Sequence, residues 1–344
     1  MVIPVYPNEC TAENVDVNRF YASITNTTKH IMGGVYSMEG VHDVIDIASR
    51  IAGSKEKLRE RPFISFITTV ISPLKLDREY TNFMIEIAKE GLPVAIPAEP
   101  LAGGTGPMTI AGNVVEMAAE SLSGLVVAQL VNPGTPVVFA STASNMDMKT
   151  AAYITGSVEM GLMQAGMAQV AQYYGLPLYS TAGMSDAKLP DAQAGYEKAI
   201  TSMLVGMAGA NFIHDAAGLL EFCMTASYEQ YVIDDEIIGM VMRAVRGIEV
   251  NKDTLATDVI KNVGPGGHFL TQQHTLDYMR DEYYQAKLSD RQRRELWEEE
   301  GKLDTRERAL KKAKEILENY KPLGIEKNDD KYIRENYESK LLIP

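Results

Sequence analysis

Seven short apolar runs recur along this chain, at 2–6, 30–36, 63–68, 93–97, 137–141, 178–181 and 211–214, each followed by a stretch of helical periodicity. Several runs are continuous rather than alternating. That is the mark of strands buried on both faces of a parallel sheet. Between them, Val114, Val115, Met117, Ala118, Leu122, Leu125 and Val126 form a stripe at helical spacing. Tyr196, Ala199, Ile200, Met203, Leu204 and Met207 form a second. Such stripes ordinarily mark the core-facing side of a helix. Gly-Leu-Pro at 91–93 and again at 175–177 stops a helix just before a strand, with Gly past the helix end and Pro beyond it.

The recurring unit predicts an α/β fold, a TIM-type parallel barrel. A closed barrel of this type has about eight strands, and the chain offers seven runs, the first beginning at Met1 itself. The expectation is therefore a barrel core over 1–218 that lacks its first strand at the N-terminus. The alternative is an open doubly wound sheet, which has no fixed strand count. From Leu219 onward the pattern turns to helices only, and 219–344 reads as a helical C-terminal extension packing on the barrel. Its stretch 282–320 is dense in Arg, Lys and Glu, with Leu296, Trp297 and Leu303 as sparse apolar contacts.

A net charge of -13 argues against a nucleic-acid binder, which shows a basic stripe. The two cysteines, Cys10 and Cys223, form no CxxC pair and no disulfide framework. No signal peptide and no run of eighteen apolar residues is seen, so a reduced cytoplasm and no membrane are expected.

The loop from Gly175 to Glu197 follows the sixth run and falls where parallel α/β proteins bind ligands. It carries Lys188 between Asp186 and Asp191. A Schiff-base lyase using Lys188 is one reading; a charged lysine paired with its neighbouring carboxylates is the other. After the fourth run, Glu99 offers a carboxylate to a cation or caps a tight turn. The glycines Gly103, Gly104 and Gly106 beyond it let a ligand approach the backbone. That loop is neither GxGxxG nor a phosphate loop. His214 ends the seventh run as a ligand or acid–base candidate. His268 and His274 lack the spacing of a metal site, and His268 is expected to pack a turn over the barrel mouth. Tyr6, Tyr36, Phe66 and Tyr179 lie at strand ends, where aromatic faces suit a quaternary ammonium or simply pack the core.

His30-Ile-Met-Gly-Gly-Val-Tyr36, Pro100-Leu-Ala-Gly-Gly-Thr-Gly-Pro107, Ser185-Asp-Ala-Lys-Leu-Pro-Asp-Ala-Gln-Ala-Gly-Tyr-Glu197 and Gly264-Pro-Gly-Gly-His-Phe-Leu270 with His274-Thr275 resemble the trimethylamine methyltransferase family over nearly the whole chain. The resemblance implies a TIM barrel that moves a methyl group from a methylated amine to the cobalt of a corrinoid carried by a partner protein. Family members extend well upstream of this chain. Those using trimethylamine carry pyrrolysine near the sixth-strand loop, whereas Thr181 to Asp191 here holds ordinary residues. That departure implies the branch acting on quaternary amines such as glycine betaine. On this reading Tyr36, Phe66, Glu99, Tyr179, Lys188 and His214 line the substrate site. Gly103, Gly104, Gly106 and His268 face the corrinoid, and Lys188 or amides of the Gly103–Gly106 loop receive a betaine carboxylate. The expected partners are a corrinoid protein and a small quaternary amine, with a homo-oligomer left open. A truncated, non-catalytic remnant that still binds a corrinoid protein or sister subunit is the competing expectation.

Overall fold

A computed structural model describes residues 2–342. The core is a curled parallel sheet of six strands, a half-barrel: β1 (Ile31–Gly34), β2 (Ile64–Ile67), β3 (Val94–Ala98), β4 (Val137–Ser141), β5 (Leu178–Thr181) and β6 (Phe212–His214). The strands lie in chain order, each paired with its sequence neighbour. Such an order has no reversal point, so the doubly wound alternative does not apply. The first apolar run is reduced to one parallel bridge from Val2 to Ile31. Pro4 has no N–H to give, and Val5 and Tyr6 turn out to solvent. Met1, where the sequence places the start of that run, lies outside the described residues.

Thirteen helices are present among the described residues. Before β1 comes α1 (Val15–Asn26), and between the strands lie α2 (Met38–Ala52), α3 (Lys55–Glu60), α4 (Arg78–Lys89), α5 (Ile110–Val131), α6 (Val158–Tyr174) and α7 (Ala192–Ala208). Ser37, Asp77, Thr109, Ser157 and Asp191 cap five of them by accepting backbone N–H bonds. Gly91 and Gly175, in the two Gly-Leu-Pro units, adopt the left-handed conformation that ends a helix.

Strand parity divides the core. Ile31, Ile64, Phe66, Val94 and Ile96 face the helices in one cluster. Met32, Ala95, Ala140 and Tyr179, with Ile67, Val138 and Phe212, face the opposite, concave side. No helix contributes to that second cluster, and its core members are at most 1% exposed, so the concave side is a cup whose floor is filled by strand residues and Ile3.

Two helical stripes read from the sequence face the core only in part: on α5 Met117 is buried and Val114, Ala118 and Leu122 pack against the core, and on α7 Ala199, Met203 and Leu204 are partly buried. On α5 the buried residues are Asn113, Glu116, Met117, Glu120, Ser121, Gly124 and Ala128, while Val115 and Val126 are exposed. On α7 Ala194, Lys198, Thr201, Ser202 and Val205 are buried, while Tyr196, Ile200 and Met207 are exposed. Gly124 explains part of this, because a Cβ there would meet Ile96 Cγ2 at 2.5 Å. At that point the helix lies too close to β3 for any side chain larger than hydrogen. Among the described residues, α5 is the one helix long and apolar enough to cross a membrane.

Beyond β6 the chain is not helical throughout. A short hairpin pairs Leu219–Leu220 with Thr225–Ala226. Then come α8 (Tyr228–Arg246), α9 (Thr257–Val263), α10 (Gln273–Tyr278), α11 (Arg294–Glu299), α12 (Thr305–Asn319) and α13 (Lys327–Asn336). Helix α8 packs on α7, α12 on α8, and α13 returns to α2. The return is clasped by polar bonds. Asn18 donates to Lys340 O at 2.8 Å and accepts from Leu342 N at 2.8 Å, and Lys340 Nζ lies 2.6 Å from Glu39.

Candidate functional site

The C-terminal ends of β3 to β6 and the loops after them gather Glu99, Tyr153, Tyr179, His214 and Asp215. Register places Tyr179 opposite Phe212 and Thr181 opposite His214. Tyr179 stacks on Phe212 at 5.4 Å and on His214 at 5.2 Å between centroids. Its hydroxyl hydrogen-bonds His214 Nδ1. His214 Nε2 lies 2.8 Å from Asp215 Oδ1. With the carboxylate accepting from Nε2–H, Nδ1 is free to accept from the tyrosine, so a neutral imidazole satisfies both partners. Asp215 has φ +59, the left-handed region that aspartate tolerates better than most residues.

Glu99 continues the parity of Ala95 and Pro97 and so points into the cup. Surrounding protein is the chief cause that pushes its carboxyl above the usual range, and the Asp215 charge adds to it. His214 and a hydrogen bond from Tyr153 act the other way. The residue's own surface is open to water on the cup side, which limits the push. Tyr153 arrives on a small sheet that the loops after β3 and β4 build from Leu101–Ala102, Ser144–Met146 and Tyr153–Ile154. Burial, then the Glu99 charge, push its phenol well above the usual range. Cys223 is pushed up to about 12, by burial first and the Asp215 charge next. It therefore stays a protonated thiol and a poor nucleophile.

The loop after β5 is fixed from two sides. Asp186 Oδ1 accepts from Thr155 N at 2.8 Å and Thr155 Oγ1 at 2.6 Å. Glu197 Oε2 accepts from Ser185 Oγ at 2.6 Å and Asp186 N at 2.9 Å. Beneath lies a buried ion pair, with Lys198 Nζ 3.0 Å from Asp234 Oδ2. Lys198 also donates to Gly183 O, and Asp234 accepts from Gly218 N at 2.7 Å. The pair thus ties the β5 loop to the β6 loop. Burial pushes the Lys198 ammonium below its usual range, against the pull of Asp234.

Of the residues expected at the site, Glu99, Tyr179 and His214 come together. The others do not join them. Phe66 is fully buried on the helix side of β2, against Phe20 at 5.9 Å. Tyr36 pairs with Tyr6 at 5.1 Å beyond the end of β1, with the Arg19 guanidinium over its ring. Lys188 is exposed, and it pairs with neither Asp186 nor Asp191. It donates to Asp186 O at 2.8 Å and lies over the Phe222 ring at 4.1 Å, while Asp191 caps α7. The glycine loop keeps its amides for itself. Gly104, Thr105 and Gly106 N–H all reach Leu101 O, and Gly103 N–H reaches Gly106 O. Its glycines serve close packing: a Cβ on Gly106 would meet Asn113 Nδ2 at 2.7 Å. His268 is exposed in the link between α9 and α10.

Sequence reasoning missed Tyr153, Cys223 and the Lys198–Asp234 pair. Asp215 was visible as the residue after His214, without a role. Among the described residues, no group of three His, Cys, Asp or Glu is arranged to hold a metal ion. What remains at the strand ends is the pair of carboxylates Glu99 and Asp215 beside the partly exposed ring of Tyr153, a composition that suits a cation.

Comparison with known proteins bears on this chemistry. The family model for trimethylamine methyltransferase (MTTB) matches residues 2–340. A glycine betaine methyltransferase of Desulfitobacterium hafniense strain Y51 is 39% identical over 310 residues, covering 90% of this chain and 64% of that protein. The trimethylamine methyltransferase MttB of D. hafniense strain DSM 10664 / DCB-2 is 40% identical over 319 residues, covering 93% of this chain and 64% of its own length. The MttB of Methanosarcina thermophila is 37% identical over 326 residues, covering 94% and 67%. The chain thus spans about 64% of the length of the first two relatives. By its sequence over nearly every described residue, the chain belongs to the trimethylamine methyltransferase family.

Proposed function

We propose that this chain forms the amine-binding part of a methyltransferase that takes a methyl group from a quaternary amine and passes it to the corrinoid of a partner protein. We further propose that its half-barrel belongs to a TIM-type barrel. The observation that carries the reading is the meeting of Glu99 and Asp215 with the partly exposed ring of Tyr153 at the strand ends, backed by Tyr179, which is 1% exposed. Carboxylates and aromatic faces attract an ammonium and leave its methyl groups in contact with carbon. In the transfer, the C–N bond breaks and its electron pair stays on nitrogen, so a quaternary donor leaves as a neutral tertiary amine and needs no proton. The chain's task is then to hold the ammonium in line and keep water away. The site's composition agrees, because the thiol of Cys223 stays protonated and His214 is held between Tyr179 and Asp215. Lys188 does not favour the Schiff-base reading, since it is exposed and held at Phe222.

The corrinoid supplies the methyl-accepting cobalt when its carrier protein docks. The test is to titrate the protein with tetramethylammonium, glycine betaine and trimethylamine by calorimetry, and to follow methyl transfer to a reduced corrinoid protein by cobalt absorbance. Quaternary amines are expected to bind and to react ahead of trimethylamine. No binding of any quaternary amine, or methyl transfer from trimethylamine at a matching rate, overturns the reading.

A further inference from the structure

Among the described residues, eight that are not glycine have positive φ, and four of these lie between Asp215 and Cys223. Three are consecutive: Glu221 at +51, Phe222 at +56 and Cys223 at +68. A left-handed turn built from residues with side chains is costly, because each Cβ crowds the following carbonyl oxygen. Such strain persists only where surrounding contacts over-determine it, and it concentrates at functional sites. The contacts here come from the loop after β5, against which the turn runs. Glu221 N–H donates to Ala187 O at 3.0 Å and Phe222 N–H to Ser185 O at 3.3 Å. The Cys223 thiol donates to Met184 Sδ at 3.1 Å. The Lys188 ammonium lies over the Phe222 ring, and Leu220, 1% exposed, packs with Ala187 and Ala194.

The segment leaves the strand ends at one left-handed residue, Asp215, and comes back to them at another, Cys223. Burial first, then the charges of Asp215, Asp186 and Glu99, raise the Cys223 thiol against the pull of Lys198. Tyr153 in turn feels the thiol. Cys223 is thus half-buried among the carboxylates and the ring already placed at the site. Resting on the reading that this site holds a quaternary amine, we propose that Cys223 is the wall that sets the size of the donor's N-alkyl groups, and that the left-handed turn 221–223 holds the wall in place. Carboxylates and aromatic rings attract an ammonium whatever its substituents. Size is read by an apolar surface that does not yield. A protonated thiol is such a surface, small and uncharged. Met184 stands behind it, 2% exposed, and leaves the sulfur no room to withdraw. The bonds to Ser185 and Ala187 deny the backbone the same escape. The strained conformation is then explained: a right-handed residue at 223 aims its side chain elsewhere.

The experiment is calorimetric titration of the whole chain with tetramethylammonium and with ethyltrimethylammonium, which differ by one carbon. One carbon against a fitted apolar wall is worth about tenfold or more in selectivity. The wild type is expected to favour tetramethylammonium by roughly that factor, and Cys223→Ala to lose the preference by about tenfold. Cys223→Ser, close to the native side chain in size, is expected to recover most of it. Cys10→Ser, at the other cysteine, is expected to leave the preference as it is. Thermal melts by circular dichroism show that each variant folds and test the turn. Cys223→Gly is expected to melt above Cys223→Ala, the reverse of the usual order, because glycine alone takes positive φ without strain. A wild type that binds tetramethylammonium, with a preference that Cys223→Ala does not move, overturns this proposal and leaves the quaternary-amine reading standing. So does a Cys223→Ser variant that loses the preference as fully as Cys223→Ala. A Cys223→Gly variant that melts below Cys223→Ala overturns the part given to the turn. A wild type that binds neither ion overturns both readings together.

Discussion

Replacing Asp234 by Asn removes one charge from a pair whose members are each 1% exposed and whose charged atoms lie 3.0 Å apart. At an effective dielectric constant near ~20, two unit charges at that distance attract by about 5 kcal/mol. Breaking such a pair from one side costs about 3–5 kcal/mol, because the remaining charge is left buried. Asparagine keeps one acceptor for Gly218 N, and Lys198 keeps its bond to Gly183 O, so about 3 kcal/mol is the expected loss at neutral pH. With a urea slope near ~3 kcal/mol per molar, the midpoint falls by about 1 M.

The loss carries a pH signature. The folded ammonium lies below its usual range already, and Asp234→Asn lowers it further. The unfolded chain then binds the extra proton between the folded and unfolded values, so stability rises with pH through that window. Each pH unit returns up to about 1.4 kcal/mol once Lys198 is neutral in the fold. Urea titrations of both proteins at three pH values between neutral and moderately alkaline measure this. A midpoint loss that does not shrink as pH rises refutes the reasoning.

Three further outcomes are expected. Burial pushes Asp16 to about 6. A carboxyl raised in the fold stabilises most below its unfolded value and loses that contribution as pH climbs through about 6, by about 2–3 kcal/mol; Asp16→Asn should flatten the difference in melting temperature between acid and mildly alkaline pH. Glu99→Gln should weaken tetramethylammonium binding by roughly tenfold and remove its decline on acidification, since the wild-type carboxyl takes up a proton above the usual range; calorimetry at several pH values reports both. Glu236, held to about 2 by Ser289 and the amides of Lys287, Leu288 and Ser289 against its burial, loses its contribution as pH falls from the unfolded carboxyl range toward that value. Glu236→Ala should accelerate hydrogen exchange at those three amides while β1 to β6 keep their protection.

The strand ladder was legible because each apolar run is short and punctuated. Six of the seven runs match strands, and Gly-Leu-Pro marked helix ends at Gly91 and Gly175. Strand parity was not legible. In the run holding Ile64, Ser65, Phe66 and Ile67, both faces are buried, so apolarity does not say that Phe66 faces the helices. The α5 stripe misled at Val115 and Val126 for a related reason: the inner face meets β3 at Gly124 and the outer face is free to be apolar. At the site, Glu99, Tyr179 and His214 were visible because strand ends announce themselves. Tyr153 depends on how two loops pair, and Lys198 with Asp234 on how α7 meets α8, and neither leaves a local pattern.

The strict neighbour order of the strands has a consequence for how the chain comes to be made. Every pairing from β1 to β6 joins a segment to the one synthesised just before it. The sheet is therefore able to grow from its newest edge during translation, with no strand waiting for a distant partner. The clasp of Asn18 with Lys340 and Leu342 is the opposite case, spanning more than three hundred residues. Closing so long a loop adds little entropy over a shorter one. It cannot form, however, until residues 327–342 have left the ribosome. Helices α1 and α2 thus pack on the early strands first and receive their clasp from residues made much later.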